Sequence, residues 1–328
     1  MLVLSARDLR QAITMEEAIE AVALALREFS SGRADVPLRT AIPVSRGGGT
    51  ALFMPALLEA TGSLGVKIVS VFPENQRQGK ATIHGVLILC DAATGEPLAL
   101  LDAASLTILR TGAAAGLATR CLARADAAVL GVIGTGAQAK GVIEAILAVR
   151  PIREIRLYNR TAAKAEQLAG QLRKQRAGVR VVVVERADQA AAHADVVVTA
   201  TNSAAPVLSA DAVSAGAHMN AIGSFRPTMQ ELPTELVARA DKVVVESREA
   251  ALAETGDLLV PIRQGLFSDS QIHAELGEIV SGNKGGRERE DELTLFKSVG
   301  LAAMDVVVAT RAYETARQRG LGQRVSLW

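Results

Sequence analysis

Hydrophobic and polar positions change rhythm twice along the chain. Residues 1 to about 30 open on an apolar strand pattern and pass into a helical one, where Ala18, Val22, Ala25, Leu26 and Phe29 recur at helical spacing. Thr14 stands three residues before Glu17, so the spacing predicts an N-capped amphipathic helix. From 36 to 101 the pattern shortens to β-rich runs, Leu64–Ser70 and Gly85–Cys90 among them. Gly47-Gly48-Gly49 and the turn residues Thr94-Gly95-Glu96-Pro97 interrupt it. A helix of small residues is predicted over Ser105–Leu122, bridging two halves.

Beyond that helix the pattern alternates between strand and helix. Strands are predicted at Ala128–Ile133, Glu154–Asn159, Arg180–Val184, Asp195–Ala200, His218–Ile222 and Lys242–Val245, with helices such as Gln138–Val149 and Ala162–Gln175 between them. Near-continuous Val, Ile and Leu strands separated by helices predict a parallel sheet buried on both faces. The expected class is α/β: a Rossmann-type doubly wound sheet, which binds ligands beyond the carboxyl ends of its strands where strand order reverses. The mixed charges of Arg287–Glu292 read as a solvated loop, and a last helix is predicted from about Leu295 to Arg319.

Composition narrows the function. A chain of 328 residues suggests two domains, and 49% hydrophobic with 22% charged residues is globular. Lys and Arg total 36 against 35 Asp and Glu, which gives no cationic field for a phosphate backbone or an anionic bilayer. Six Phe, two Tyr and one Trp are too few for a base-stacking surface. Nucleic acid and membrane are therefore not expected partners. Cys90 and Cys121 fit neither a disulfide framework nor a zinc spacing, and His193, His218 and His273 lack metal-ligand spacing, so no metal is expected. His84 alternates within a strand near Thr82 and reads first as a satisfied strand residue. A charge arrives too early for a signal peptide and no apolar run reaches about 18 residues, so a cytoplasmic protein is expected.

Two features carry chemistry. The first is Gly134-Thr135-Gly136-Ala137-Gln138-Ala139, a GxGxxA directly after a buried strand and opening a helix. Gly134 permits the tight turn, Gly136 lets backbone approach a pyrophosphate, and the helix N-terminus offers free N–H groups to phosphate. An acid at the end of the following strand, about 20 residues on, would favour NAD(H) by binding the ribose 2′-OH. Here that strand ends in Asn159-Arg160-Thr161. A guanidinium flanked by amide and hydroxyl suits a 2′-phosphate, so NADP(H) is preferred, with NAD(H) as the alternative.

The second feature is a set of cations in apolar surroundings: Arg39, Lys67 within a strand, and Arg110 within the small-residue helix. Such groups are rarely buried without an anionic partner. Each alone reads best as snorkelling or as pairing with an internal acid, but acids are few in these segments. A shared anionic ligand is the expectation for the three together.

The pieces Gly65-Val66-Lys67, Thr82, Asp91–Leu100, Leu106–Thr111, Gly134–Ala139, Asn220–Pro227, Glu231-Leu232 and Phe296–Gly300 occur in an order and spacing that resembles the ornithine cyclodeaminase/mu-crystallin family over nearly the whole chain. The resemblance implies a smaller α/β substrate-binding and dimerisation domain, 1–120 with 302–328 returning to it, beside a Rossmann domain at 121–301. It implies a homodimer. It places Arg39, Lys67, Thr82 and Arg110 on the substrate carboxylate, Ser224 near the substrate, and Lys67 in proton transfer. The expected cofactor contacts are Thr111, Gly134, Thr135, Gly136, Ala137, Gln138, Asn159, Arg160, Thr161, Thr199, Ala200, Thr201, Ile222, Ser298 and Gly300. Cyclodeaminases of this family carry an Asp shortly after the Gly of the NAxG segment. The matching position here holds Phe225, within Gly223-Ser224-Phe225-Arg226-Pro227. That departure points to an NAD(P)H-dependent ketimine reductase acting on Δ1-pyrroline-2-carboxylate or its six-membered homologue. The alternatives are an ornithine cyclodeaminase with catalytic NAD, an alanine-type dehydrogenase, and a mu-crystallin-like binder of small ligands. Glu231 is expected to cap or brace the loop after Pro227, with a catalytic role as the alternative.

Overall fold

A computed structural model describes residues 1–326, and its chain divides into two compact units. One comprises Met1–Arg110 with the segment from Leu301 onward, the other Thr111–Gly300. The first opens with β1 (Leu2–Leu4), α1 (Ala6–Ala12) and α2 (Met15–Ser30). The expected Thr14–Glu17 capping box starts α2, while a second box, Ser5 with Asp8, starts α1. The opening therefore holds two helices where periodicity suggested one. Ile13 turns extended (φ −146°, ψ 132°) and Thr14 restarts the helix.

β2 (Ala34–Asp35), β3 (Thr40–Val44), β4 (Gly49–Leu58), β5 (Ser63–Val71), β6 (Ile83–Asp91) and β7 (Pro97–Asp102) follow, and α3 (Ala103–Leu122) runs across the division between the units. The strands form a largely antiparallel sheet in the order β7-β6-β5-β4, with β2 and β3 both on β4, and with β1 parallel to β7. Register in β5 sets Lys67 opposite Met54 and Leu87, so Lys67 lies on the face that buries those side chains.

The second unit alternates as its pattern predicts: β8 (Val129–Ile133), α4 (Ala137–Val149), β9 (Glu154–Tyr158), α5 (Ala162–Gln175), β10 (Arg180–Val183), α6 (Ala187–Ala191), β11 (Val196–Thr199), β12 (His218–Ala221), α7 (Thr234–Ala238), β13 (Lys242–Val245), α8 (Arg248–Glu254), α9 (Gly256–Arg263), β14 (Ile272–Glu275), α10 (Leu276–Val280) and β15 (Thr294–Lys297). All eight strands are parallel, in the order β10-β9-β8-β11-β12-β15-β13-β14. Val196 and Val198 of β11 pack into one apolar cluster with Ile146 and Leu157, and Val197 into another with Leu236 and Leu258. Burial on both faces explains why these strands read as unbroken apolar runs. Strand order reverses between β8 and β11, so the carboxyl ends there form the expected ligand-binding edge.

Two expectations are corrected. Residues 295–301 do not begin the last helix. Thr294–Lys297 is β15, a fully buried strand between β12 and β13, and Gly300 (φ +86°) breaks the chain before α11 (Ala302–Arg319). α11 and β16 (Gln323–Arg324), which pairs with β1, belong to the first unit. The Arg287–Glu292 segment is not simply solvated either. Arg287 donates to the carbonyls of Leu122, Ala217 and Glu292, and Glu292 is 1% exposed. Among the described residues no helix is long and apolar enough to cross a membrane.

Candidate functional site

In the first unit, β5 and the first turns of α11 meet closely enough that a Cβ on Gly65 would lie 3.3 Å from the Val306 side chain. That approach brings Lys67 Nζ to 2.6 Å from Asp305 Oδ2. Arg110 of α3 donates through Nε to the other oxygen, Asp305 Oδ1, at 3.1 Å. Lys67 is 2% exposed, Arg110 6% and Asp305 fully buried. A carboxylate in the first turn of a helix also gains from the positive end of the helix dipole.

One carboxylate thus serves two cations. The balance of forces on Lys67 follows from that count. Burial penalises its ammonium most, Asp305 opposes the penalty, and Arg110 and Arg39 add to it. The result is a pKa lowered from 10.5 to about 8. Arg39, half-buried just before β3, is therefore close enough to be felt by Lys67, and the structure gathers all three expected cations in one unit. Arg110 uses only Nε for Asp305, and its two terminal nitrogens have no hydrogen-bond partner among the described residues. Thr82 is half-buried just before β6, its carbonyl accepting from Phe72 N at 2.8 Å. His84 is exposed.

In the second unit, the glycine turn between β8 and α4 has the form a dinucleotide needs. Gly134 sits at φ +94°, and a Cβ there would lie 2.6 Å from the Ala200 carbonyl. Space over Gly136 is open, and the buried Thr135 Oγ1 and Gln138 Oε1 have no hydrogen-bond partner among the described residues. Orphaned polar atoms beside free helix N–H groups, with Ala137 beginning α4, fit a bound phosphate and ribose. Asn159 ties the next strand end to this turn: Thr135 N donates to its Oδ1 at 3.2 Å, and its Nδ2 donates to the Thr161 carbonyl. Arg160 beside it is exposed.

Buried carboxylates shape the neighbouring strand ends. Glu231 accepts from the Thr199 hydroxyl, from the Thr201 N–H and hydroxyl, and from the Gly223 and Ser224 N–H groups, at 2.6–3.2 Å. It therefore joins the loops after β11 and β12, the brace that the sequence suggests. Burial pushes its carboxyl above the ordinary range, Lys297 opposes, and Asp257 adds to the rise. Lys297 and Asp257 pair at 2.9 Å, both fully buried. Ile222 is buried beside the brace and Thr111 within α3. The Ser224 hydroxyl is engaged with the Met229 carbonyl (2.6 Å) and Thr255 (2.7 Å), so it holds this loop. Ser298, Val299 and Gly300 all donate to Glu246. The ring of Phe225 lies under the guanidinium of Arg226, 5.6 Å from its carbon to the ring centroid.

Asp305 is the site residue that sequence reading missed. Its signal was present, a lone acid in the apolar run Ala302-Ala303-Met304-Asp305-Val306-Val307-Val308. Its 238-residue separation from Lys67 hid the pairing. Among the described residues no cluster of His, Cys, Asp or Glu could hold a metal ion.

An all-parallel sheet with a glycine turn at its switch point defines a Rossmann-type α/β protein. Residues 1–320 match the model of the Ornithine cyclodeaminase/mu-crystallin family, and the chain belongs to that family. A Delta(1)-pyrroline-2-carboxylate reductase of Bacillus cereus is 52% identical over 325 residues, with 99% of each chain covered. The solved structure of the Thermococcus litoralis Delta(1)-pyrroline-2-carboxylate reductase in complex with NADH and L-proline is 41% identical. It matches with a TM-score of 0.95 over 99% of this chain and 100% of that one. An archaeal alanine dehydrogenase dimer with bound NAD is 36% identical, with a TM-score of 0.93 over 100% and 99% of the two chains.

Proposed function

We propose that this chain is an NAD(P)H-dependent reductase of cyclic ketimine carboxylates, taking Δ1-pyrroline-2-carboxylate to L-proline and Δ1-piperideine-2-carboxylate to L-pipecolate. The observation that carries the reading is the buried cluster of Lys67 and Arg110 on Asp305, with the open end of the Arg110 guanidinium beside it. A planar guanidinium matches a carboxylate bidentately, so Arg110 anchors the substrate acid, with Arg39 and Thr82 completing its surroundings. Lys67, with a pKa near 8, holds a proton at neutral pH and can release it. It protonates the imine nitrogen as that nitrogen becomes an amine. The nicotinamide, when bound, supplies the hydride for the imine carbon. In this reading the first unit binds substrate and the second the dinucleotide, through Gly134–Gln138, Asn159–Thr161, Thr199–Thr201, Ile222, Ser298 and Gly300. Ser224 stays out of the substrate set because its hydroxyl is already engaged. Cyclodeamination is disfavoured because Phe225, stacked under Arg226, offers no carboxylate for an amino group.

NADP(H) is the preferred cofactor, because the strand after the glycine turn ends without an acid and with an exposed Arg160. Purified protein given Δ1-pyrroline-2-carboxylate is expected to oxidise NADPH with a lower KM than NADH. In Arg160→Ala the NADPH KM should rise about tenfold, as one charge-assisted contact is lost, while the NADH KM stays put. Ammonia released from ornithine without net cofactor oxidation would support a cyclodeaminase instead.

The proposed assembly is a homodimer through the sheet of the first unit. α11 packs on the face that carries Lys67, and α1 and α2 pack against α11. The opposite face presents Ile42, Phe53, Val66, Ile68, Val86 and Ile88, with Ile42 49% and Val86 38% exposed. Light scattering should give twice the 34.3 kDa chain mass, and Ile68→Glu/Val86→Glu should give the monomer. The cytoplasm is the proposed place of action, which suits two cysteines that are both free thiols.

A further inference from the structure

Asp305 touches neither of the two ligands proposed above, yet its two bonds account for the state of both groups that do. Its carboxylate is fully buried and shared. If Asp305 were only a structural counter-ion, one cation would satisfy its charge and the other would have been free to be apolar. Two cations on one buried acid leave a net positive charge in the cluster, which calls for a second anion. The geometry also divides the labour. Asp305 takes Nε, the side of the Arg110 guanidinium, and leaves the two terminal nitrogens, the fork that pairs best with a planar carboxylate. It takes Lys67 at 2.6 Å, so the ammonium is fixed in direction as well as kept charged.

We infer that Asp305 is a positioning residue that holds Lys67 as a directed ammonium and turns the open fork of Arg110 toward the substrate acid. The inference rests on the reductase reading for its substrate, but the pairing it describes belongs to the protein alone. Without the carboxylate, burial and the two guanidiniums act on Lys67 unopposed, so Lys67 loses its proton at lower pH.

The test is the pH profile of kcat for NADPH-dependent reduction of Δ1-pyrroline-2-carboxylate. Wild type should lose activity above about pH 8, where Lys67 deprotonates. Asp305→Asn should bring that limb down by roughly one to three pH units, the effect of removing a neighbouring opposite charge. The substrate KM should rise with it, as Arg110 loses its orientation, while the NADPH KM holds. Asp305→Glu should return the limb most of the way. A limb in Asp305→Asn at its wild-type position, or one that falls equally far in Asp305→Glu, overturns the inference. If Asp305→Asn does not fold, Asp305→Thr takes its place in the same profile. Carbon-13 NMR titration of labelled lysine, with the Lys67 signal identified by its loss in Lys67→Met, reads the same displacement without turnover. An inactive wild type with a shifted Lys67 titration would refute the reductase and leave the role of Asp305 standing. An active wild type with an unshifted Lys67 titration in Asp305→Asn would do the reverse.

Discussion

Lys67→Met is expected to lower kcat for imine reduction by about a thousandfold, within the range that a positioned general acid contributes. Methionine keeps an unbranched, flexible side chain one atom shorter and removes the amine with its proton and charge. The sign of the pH dependence follows from the lowered pKa. Below about pH 8 the wild-type ammonium is present and can protonate the imine nitrogen; above it the acid is gone and reduction slows. The reverse reaction, oxidation of L-proline, needs the neutral amine to take a proton and should rise through the same pH. Lys67→Met should flatten both limbs. Asp305 keeps its bond to Arg110 in the variant, so the carboxylate is not left alone and the fold should persist. A kcat within tenfold of wild type, or an alkaline limb that survives the substitution, would remove Lys67 from proton transfer.

Much of this architecture is legible in the sequence because local signals agree with one another. The parallel strands from β8 to β13 can be read to within a residue or two because burial on both faces makes them continuous apolar runs between helices. The glycine turn announces itself by its place between strand and helix. β15 escapes such reading because Thr294–Lys297 is short and its continuation resembles a helix start, so only its neighbours β12 and β13 make it a strand. Arg287 looks like one charge among many, and its carbonyl partners are distant in sequence. The candidate site divides along the same line. Lys67 and Arg110 stand out as cations in apolar runs, which any observer of the chain can see. Their anion comes from a helix near the other end, and no periodicity encodes a pairing across that distance.

The second large effect is expected in stability. Glu231→Ala should lower the melting temperature by about 10 °C, corresponding to roughly 3–5 kcal/mol at the usual proportion for a domain of this size. The physical reason is the number of donors that lose one acceptor. The backbone N–H groups of Thr201, Gly223 and Ser224 and the hydroxyls of Thr199 and Thr201 all converge on this carboxylate. An alanine leaves them without that partner in a largely buried site, and each unsatisfied buried donor costs about 1–3 kcal/mol before relaxation. Lys297 also loses the nearby carboxylate that helps to offset its burial, keeping only Asp257. Glu235→Ala, four residues on and exposed in α7, is the control and should shift melting by no more than about 1–2 °C, as surface substitutions do. Because Glu231 joins the loops after β11 and β12, the damage should reach function as a raised KM for NADPH below the melting transition. A Glu231→Ala protein that melts with wild type would mean that these two loops hold their shape without the carboxylate between them.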